Sequence, residues 1–389
     1  MTRPRIARPI ARPLASPIAT TRSAPRRAAL ASAALPRRAR LPLLALGFAA
    51  LVVGVGAGLA RLGATVPAFA ASSASMHGPL MVCGLFGVVI ALERAVALGR
   101  GWAYLGPLLA GLGVLTLLSG RVAFAPWLFL AGSTVLLAAT LDMLQRQRTF
   151  FMLTLALAAT CFAIGNAQWA FGRAATEVVP WWLAFLVLTI AGERLELSRF
   201  LPPSPLAFRT FALVLMMIGA ALVAGGARWS APLFGAGLLG LAAWLFKQDI
   251  ARRTVRGRGL SRFIAVCLLS GYGWLAVGAA LWLGGAAAVP GSAGHDAALH
   301  AITLGFVFSM VFGHAAIILP AVTKLAVPYH PTFYVPLALL QVSLVVRLGG
   351  DAAGRIDWTR AGAWLNAAAL AAFLLGTLAA ALRGRRKAI

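Results

Sequence analysis

Apolar runs about as long as a bilayer is thick constrain the fold of this chain more than any other feature. From Leu41 onward, stretches of about 20 mostly apolar residues alternate with short segments rich in Arg or Gly. Lipid offers no hydrogen-bond partners, so a chain that crosses it so often must satisfy its backbone groups within helices. The pattern predicts an all-α fold, a polytopic transmembrane bundle.

Twelve spans account for this pattern, and residues 41–389 are expected to form a single transmembrane helical domain. The predicted spans are 41–61, 76–98, 102–119, 122–143, 149–170, 179–198, 207–226, 229–246, 262–284, 296–320, 332–349 and 360–382. Spans 2 and 6 share the related segments IALER (90–94) and IAGER (190–194), and spans 4, 8 and 12 end in similar Leu- and Ala-rich segments. Three repeats of four helices would explain these likenesses, and so would the abundance of Leu and Ala alone.

Basic residues fix the predicted orientation. The formal net charge of +26 invites a nucleic-acid interpretation. With both termini in the cytoplasm, however, 28 of the 35 Lys and Arg lie in inside segments and 7 in outside segments. Basic loops on the cytoplasmic side are typical of membrane proteins. We therefore predict an N-in/C-in, multi-pass protein of the bacterial cytoplasmic membrane, with the lipid bilayer rather than nucleic acid as its partner; an organelle membrane is the alternative.

The N-terminal segment differs from the rest of the chain. Residues 1–40 contain ten Arg, six Pro and no acidic residue. This composition gives no helical period and favours a disordered basic tail near anionic lipid. A transit peptide and an over-extended start are the alternatives. The three cysteines, in contrast, fall within apolar runs without metal-ligand spacing, which favours small buried hydrophobic residues.

Histidines within the spans are the main candidates for chemistry. In the predicted topology His77 and His300 lie at similar depth near the outer ends of spans 2 and 10, where two facing imidazoles could ligate a b-type haem. Two inert interfacial histidines are the alternative. His314 lies fourteen residues after His300, on roughly the same face of a regular α-helix. It is a candidate for a second metal ligand, a proton or gas site, or a packed histidine.

Two acidic residues near the inner ends of spans 2 and 6 are candidates for proton loading. Glu93 and Glu193 each precede an arginine. The alternative is that the arginines extend to the interface and the carboxylates screen them. The sequence contains no P-loop, dinucleotide-binding fingerprint, HExxH or nucleophile elbow. No residue is therefore assigned a catalytic role, and whether the protein is an enzyme stays open.

The twelve spans and the positions of His77 and His300 resemble the catalytic subunit of the haem-copper oxidase superfamily. That resemblance implies a low-spin haem held by one histidine on span 2 and one on span 10. The sequence departs from the family because the copper site of that family needs three histidines on spans 6 and 7, and residues 171–294 contain none. Oxygen reduction by that mechanism is therefore not expected, and copper lacks a three-histidine site.

HAITLGFVFSMVFGHA (300–315) is also similar to a histidine-led helix of the NnrS group, twelve-span bacterial proteins linked to nitric oxide metabolism. Both resemblances imply a membrane haem protein in electron transfer or in the response to a diatomic gas, with a redox partner or respiratory complex. Two other classes remain open. One is a proton-coupled transporter that uses the histidines, and the other is a non-catalytic subunit or assembly factor of a respiratory complex.

Overall fold

The computed structural model describes residues 35–197 and 204–386 of the chain. Every regular element in these ranges is helical, without strands, and twelve helices are long and apolar enough to cross a membrane. They are numbered α1 to α12 in chain order: Arg38–Arg61, Ala74–Leu98, Gly101–Leu118, Val122–Arg146, Phe150–Ala170, Ala175–Leu197, Pro205–Ala224, Ser230–Gln248, Gly259–Leu283, Ala293–Thr323, Pro331–Ala353 and Ile356–Gly384.

The prediction of an all-α bundle with twelve spans is confirmed, with shifts of a few residues at the ends. The first helix already begins at Arg37, inside the segment 1–40 that the sequence analysis treats as a tail. The prediction of a disordered tail otherwise concerns residues 1–34, which lie outside the described residues. α10 is the longest span, at 31 residues, and carries both His300 and His314.

The helices follow one another around a ring, because each packs against its neighbour in sequence and α12 returns to α1. α10 also contacts both α2 and α6. Because α2, α6 and α10 follow one another at intervals of four helices along the chain, this packing fits three groups of four helices each. These three helices bury 61%, 67% and 61% of their most apolar windows, compared with 22% for α12. α5 is buried to the same extent, at 61%, but α2, α6 and α10 are the helices joined by contacts of α10, so a shielded site could form between them.

Two of these central helices contain π-helical segments. In α2 the segment Leu80–Phe86 follows His77 closely, and in α10 the segment Ala301–Phe308 directly follows His300. Single π-helical turns are rare and are frequent at functional sites. The segment in α10 lies between His300 and His314. The prediction that the His300 and His314 rings share one helix face assumed 3.6 residues per turn throughout. This spacing does not apply across a π-helix.

Buried polar side chains connect neighbouring spans, as expected where lipid cannot satisfy them. Asn166 of α5 accepts a hydrogen bond from Trp182 Nε1 of α6 at 3.0 Å and donates one to the Phe129 carbonyl of α4 at 3.2 Å. Gln341 of α11 joins Trp274 of α9 to Ser309 of α10. The three cysteines are buried and free, as predicted; they are Cys83, Cys161 and Cys267.

Candidate functional site

His77 and His300 meet between α2 and α10. Their ring centres are 6.3 Å apart and their planes differ by 16°. His77 begins the short helix His77–Pro79, so its ring lies at the outer edge of α2, whereas His300 lies two turns inside α10. The structure thus brings together the two histidines that the sequence analysis paired, although 222 residues separate them in the chain.

The two histidine rings make the same kind of hydrogen bond through Nδ1. His77 Nδ1 lies 2.7 Å from the Gly54 carbonyl oxygen of α1, and His300 Nδ1 lies 2.8 Å from the Asp296 carbonyl oxygen. A carbonyl oxygen can only accept, so each Nδ1 must carry the proton and donate. Each Nε2 then holds the lone pair. Within the described residues neither Nε2 has a hydrogen-bond partner, and this is the arrangement that metal-ligating histidines adopt.

The spacing of the two rings is compatible with one metal held by both imidazoles. Two bonds of about 2.0–2.1 Å from nitrogen to metal, together with the radii of the two rings, would allow the ring centres to lie up to roughly 6.3 Å apart. The observed separation is 6.3 Å. In the described part of the chain no group of three or more His, Cys, Asp or Glu could hold a metal ion. A metal here would therefore need further ligands from a cofactor, and haem would be such a group, with His77 and His300 as the residues that hold it.

The surroundings of the pair have features that fit such a group. A Cβ added at Gly78, next to His77 in the chain, would meet no atom within 4 Å, so the backbone at this position is not packed against another helix. Arg61 and Arg347 bring positive charge near His77, which suits the carboxylates that haem carries at its edge. Towards the inner side, Phe86 of α2 and Phe308 of α10 pack edge to face with ring centres 5.4 Å apart. Haem thus fits the donor set, the charge and the apolar surroundings of this site.

His77 is held against α1 by glycines. Its ring lies so close to Gly58 that a Cβ there would be 2.8 Å from His77 Cε1 and 2.9 Å from Nδ1. Only a residue without a side chain lets the imidazole approach the backbone of α1 and reach the carbonyl of Gly54. The segment GVGAG (54–58) contains these glycines in sequence, and its relation to His77 appears only when α1 and α2 are packed.

His314 belongs to a different cluster, between the C-terminal ends of α6 and α8 and the middle of α9. Its Nδ1 donates to the Met310 carbonyl at 2.8 Å, and its Nε2 lies 3.2 Å from Nη1 of Arg194, which can only donate. Both ring nitrogens are therefore engaged by the protein. This geometry favours the packed, hydrogen-bonded histidine of the sequence analysis over the second metal ligand.

The arginine in that cluster is buried and fully paired. Arg194 of α6 donates from Nε and Nη2 to the Asp249 carboxylate at 2.7 and 3.0 Å, and Tyr272 of α9 donates to the same carboxylate at 2.6 Å. The Arg194 and Asp249 side chains are 6% and 2% exposed. Asp249 lies between Lys247 and Arg252 in the sequence, a setting typical of an exposed interfacial acid, but the fold buries it, because the segment after α8 packs against α9.

Glu93 and Glu193 are half-buried and lie near each other, with Arg94 and Glu196 beside them. The two related segments of α2 and α6 thus meet at the inner side of the bundle. No hydrogen bond or ion pair of Glu93 or Glu193 is found among the described residues, so a role in proton loading remains a prediction.

Two residues next to His300 were not singled out from the sequence. Asp296 lies one helical turn before His300. Arg347 of α11 pairs with Asp296, with a distance of 2.8 Å between Arg347 Nη2 and Asp296 Oδ2. The spacing of Asp296 from His300 is visible in the sequence as a pair four residues apart on one helix face. The contribution of Arg347 depends on packing between α10 and α11, which no local pattern shows.

Comparison with known proteins gives a family but no activity. Residues 40–382 match the family described as "Domain of unknown function (DUF8744)", which covers nearly all of the transmembrane bundle. A search of curated proteins finds no match.

Proposed function

This chain belongs to the DUF8744 family, and we propose that it is an integral membrane electron-transfer protein that holds one b-type haem between His77 and His300. The observation that carries the proposal is the facing pair of imidazoles, 6.3 Å apart, whose Nδ1 atoms are both committed to backbone carbonyls. The resemblance to haem-copper oxidases and to the NnrS group supports the same pair, because the oxidase resemblance implies histidine ligands on spans 2 and 10.

Electron transfer is the activity that this ligand set favours. When bound, haem supplies a one-electron couple. His77 and His300 would both hold the haem iron, so the bound group would supply electron transfer rather than a binding site for a diatomic gas. Gas binding would require one histidine to move away from the iron. Both rings are held in place by hydrogen bonds of Nδ1 to backbone carbonyls. The bacterial cytoplasmic membrane is the proposed location, with a redox partner at its outer side.

The transporter interpretation has less support from the structure. Transport sites usually lie near the middle of the bilayer and use ionisable groups that change partners. Among the described residues, the two buried arginines are instead paired, Arg194 with Asp249 and Arg347 with Asp296. His314 accepts from Arg194 rather than facing a cavity that could admit a substrate.

The test is a reduced-minus-oxidised absorption spectrum of detergent-purified protein, recorded for the wild type and three variants. We expect a low-spin b-type spectrum in the wild type that is lost in His77→Ala and in His300→Ala. His330→Ala is the matched control, because His330 is exposed and bonds only to Thr332 beside it. A wild-type protein that folds without haem, or a spectrum that survives both substitutions, would refute the proposal.

A further inference from the structure

The two proposed haem ligands differ in the hydrogen-bond acceptors that lie near Nδ1. His77 Nδ1 has one acceptor, the Gly54 carbonyl. His300 Nδ1 has two within reach, the Asp296 carbonyl at 2.8 Å and the Asp296 carboxylate oxygen Oδ2 at 3.2 Å. Only His300 therefore has an anionic oxygen against the ring nitrogen that carries its proton.

The position of this carboxylate follows from the local fold. Asp296 lies in the first turn of the helix Ala293–His300, where Ser292 caps the amide of His295. Residues four apart on a helix lie on the same face, which places the Asp296 side chain beside the His300 ring. The His300 side chain is 13% exposed and the Asp296 side chain 35%, so water screens part of the carboxylate charge.

Arg347 of α11 competes for the same oxygen. Its Nε and Nη2 donate to Asp296 Oδ2 at 3.2 and 2.8 Å, and its side chain is only 9% exposed. The arrangement is a chain of three groups, Arg347, Asp296 and His300, that ends on the ligand nitrogen.

We infer that Asp296 is a positioning residue that acts through His300, and that its carboxylate lowers the reduction potential of the haem while Arg347 limits this effect. The inference rests on the proposed function. A carboxylate that accepts from Nδ1–H increases the basicity of Nε2. A more basic ligand stabilises the oxidised iron, which carries one more positive charge. Arg347 draws the carboxylate charge towards itself and so weakens the effect.

The experiment is a mediated spectroelectrochemical titration of the purified haem protein, which compares the wild type with Asp296→Asn and Arg347→Gln. In Asp296→Asn we expect the midpoint potential to rise by about 59 mV or more, equivalent to a tenfold change in the one-electron equilibrium. In Arg347→Gln we expect it to fall, because the carboxylate charge is no longer shared. The matched control is Asp357→Asn, which removes an exposed carboxylate that pairs with Arg355 at the start of α12.

The outcomes separate the inference from the function on which it rests. Opposite shifts in the two variants, with the control unchanged, would support it. A potential unchanged or lowered in Asp296→Asn would overturn it, and so would an equal shift in Asp357→Asn, which would indicate a general charge effect. If Asp296→Asn does not fold, the direction of the Arg347→Gln shift decides. A wild-type protein without haem would overturn both proposals, whereas a haem lost in His300→Ala but indifferent to Asp296 would overturn only this one.

Discussion

The hydrogen bond that one nitrogen of a histidine makes determines what the other nitrogen can do. His77 and His300 give Nδ1 to a backbone carbonyl and keep Nε2 for a ligand, whereas His314 has both nitrogens engaged. The sequence could place all three at membrane depth. It could not distinguish them, because the partner of each Nε2 is set by packing between helices distant in the chain.

At the same scale, the pairing of Arg194 with Asp249 should contribute strongly to stability. Asp249→Asn would leave a buried guanidinium without its counter-ion, and we expect a loss of about 3–5 kcal/mol in the free energy of unfolding. Unfolding in SDS–detergent mixtures, followed by circular dichroism, measures it.

Asp142→Asn is the control for this prediction. Asp142 pairs with Arg100 and Arg146, whose side chains are 41% and 45% exposed, so its loss should cost about 0–1 kcal/mol. Equal losses in the two variants would contradict a stabilising role for the buried pair.

At the scale of elements, α1, α2 and α10 jointly build the site. The apolar run length predicted all three helices, and the topology predicted the similar depth of His77 and His300. The π-helical segments next to both histidines could not be predicted, because they do not follow the 3.6-residue period on which the prediction depends. The support of His77 by Gly54 and Gly58 was also missed, since it depends on the contact between α1 and α2.

This contact gives a prediction for α1. A Cβ in Gly58→Ala would press on His77 and displace it, so we expect haem to be held about 10-fold less tightly, the scale of effect seen when the support of a metal ligand is removed. Haem transfer to an excess of apomyoglobin, followed by absorbance, measures the change. Gly219→Ala on α7 is the control, because a Cβ there meets no atom within 4 Å. Unchanged retention in Gly58→Ala would show that the ring does not depend on α1.

At the scale of the whole molecule, the described residues form a closed ring of twelve helices in which α10 also contacts α2 and α6. The number of spans could be predicted because lipid imposes both length and composition. The arrangement in a ring could not, since hydropathy shows which residues meet lipid or protein but not which helices are neighbours. The signals of that arrangement in the sequence were the similar ends of spans 4, 8 and 12 and the related segments at 90–94 and 190–194, which lie near each other in the structure.

The orientation in the membrane can be tested with single cysteines, because Cys83, Cys161 and Cys267 are all buried and need not be replaced. Arg173 lies between α5 and α6 and Arg148 between α4 and α5, and both are exposed. We expect a membrane-impermeant maleimide to label Arg173→Cys in intact cells and Arg148→Cys only after the membrane is opened. The reverse pattern would invert the topology and move the histidine pair to the cytoplasmic side.

The most direct measurement of the central claim is an electron paramagnetic resonance spectrum of the oxidised wild-type protein, with haem and protein quantified on the same sample. The facing imidazoles of His77 and His300 predict one low-spin ferric centre per chain with two histidine ligands. A high-spin centre would mean that His77 and His300 do not both hold the iron and would contradict the assignment to electron transfer. A folded protein with no haem would contradict the account of this site as a whole.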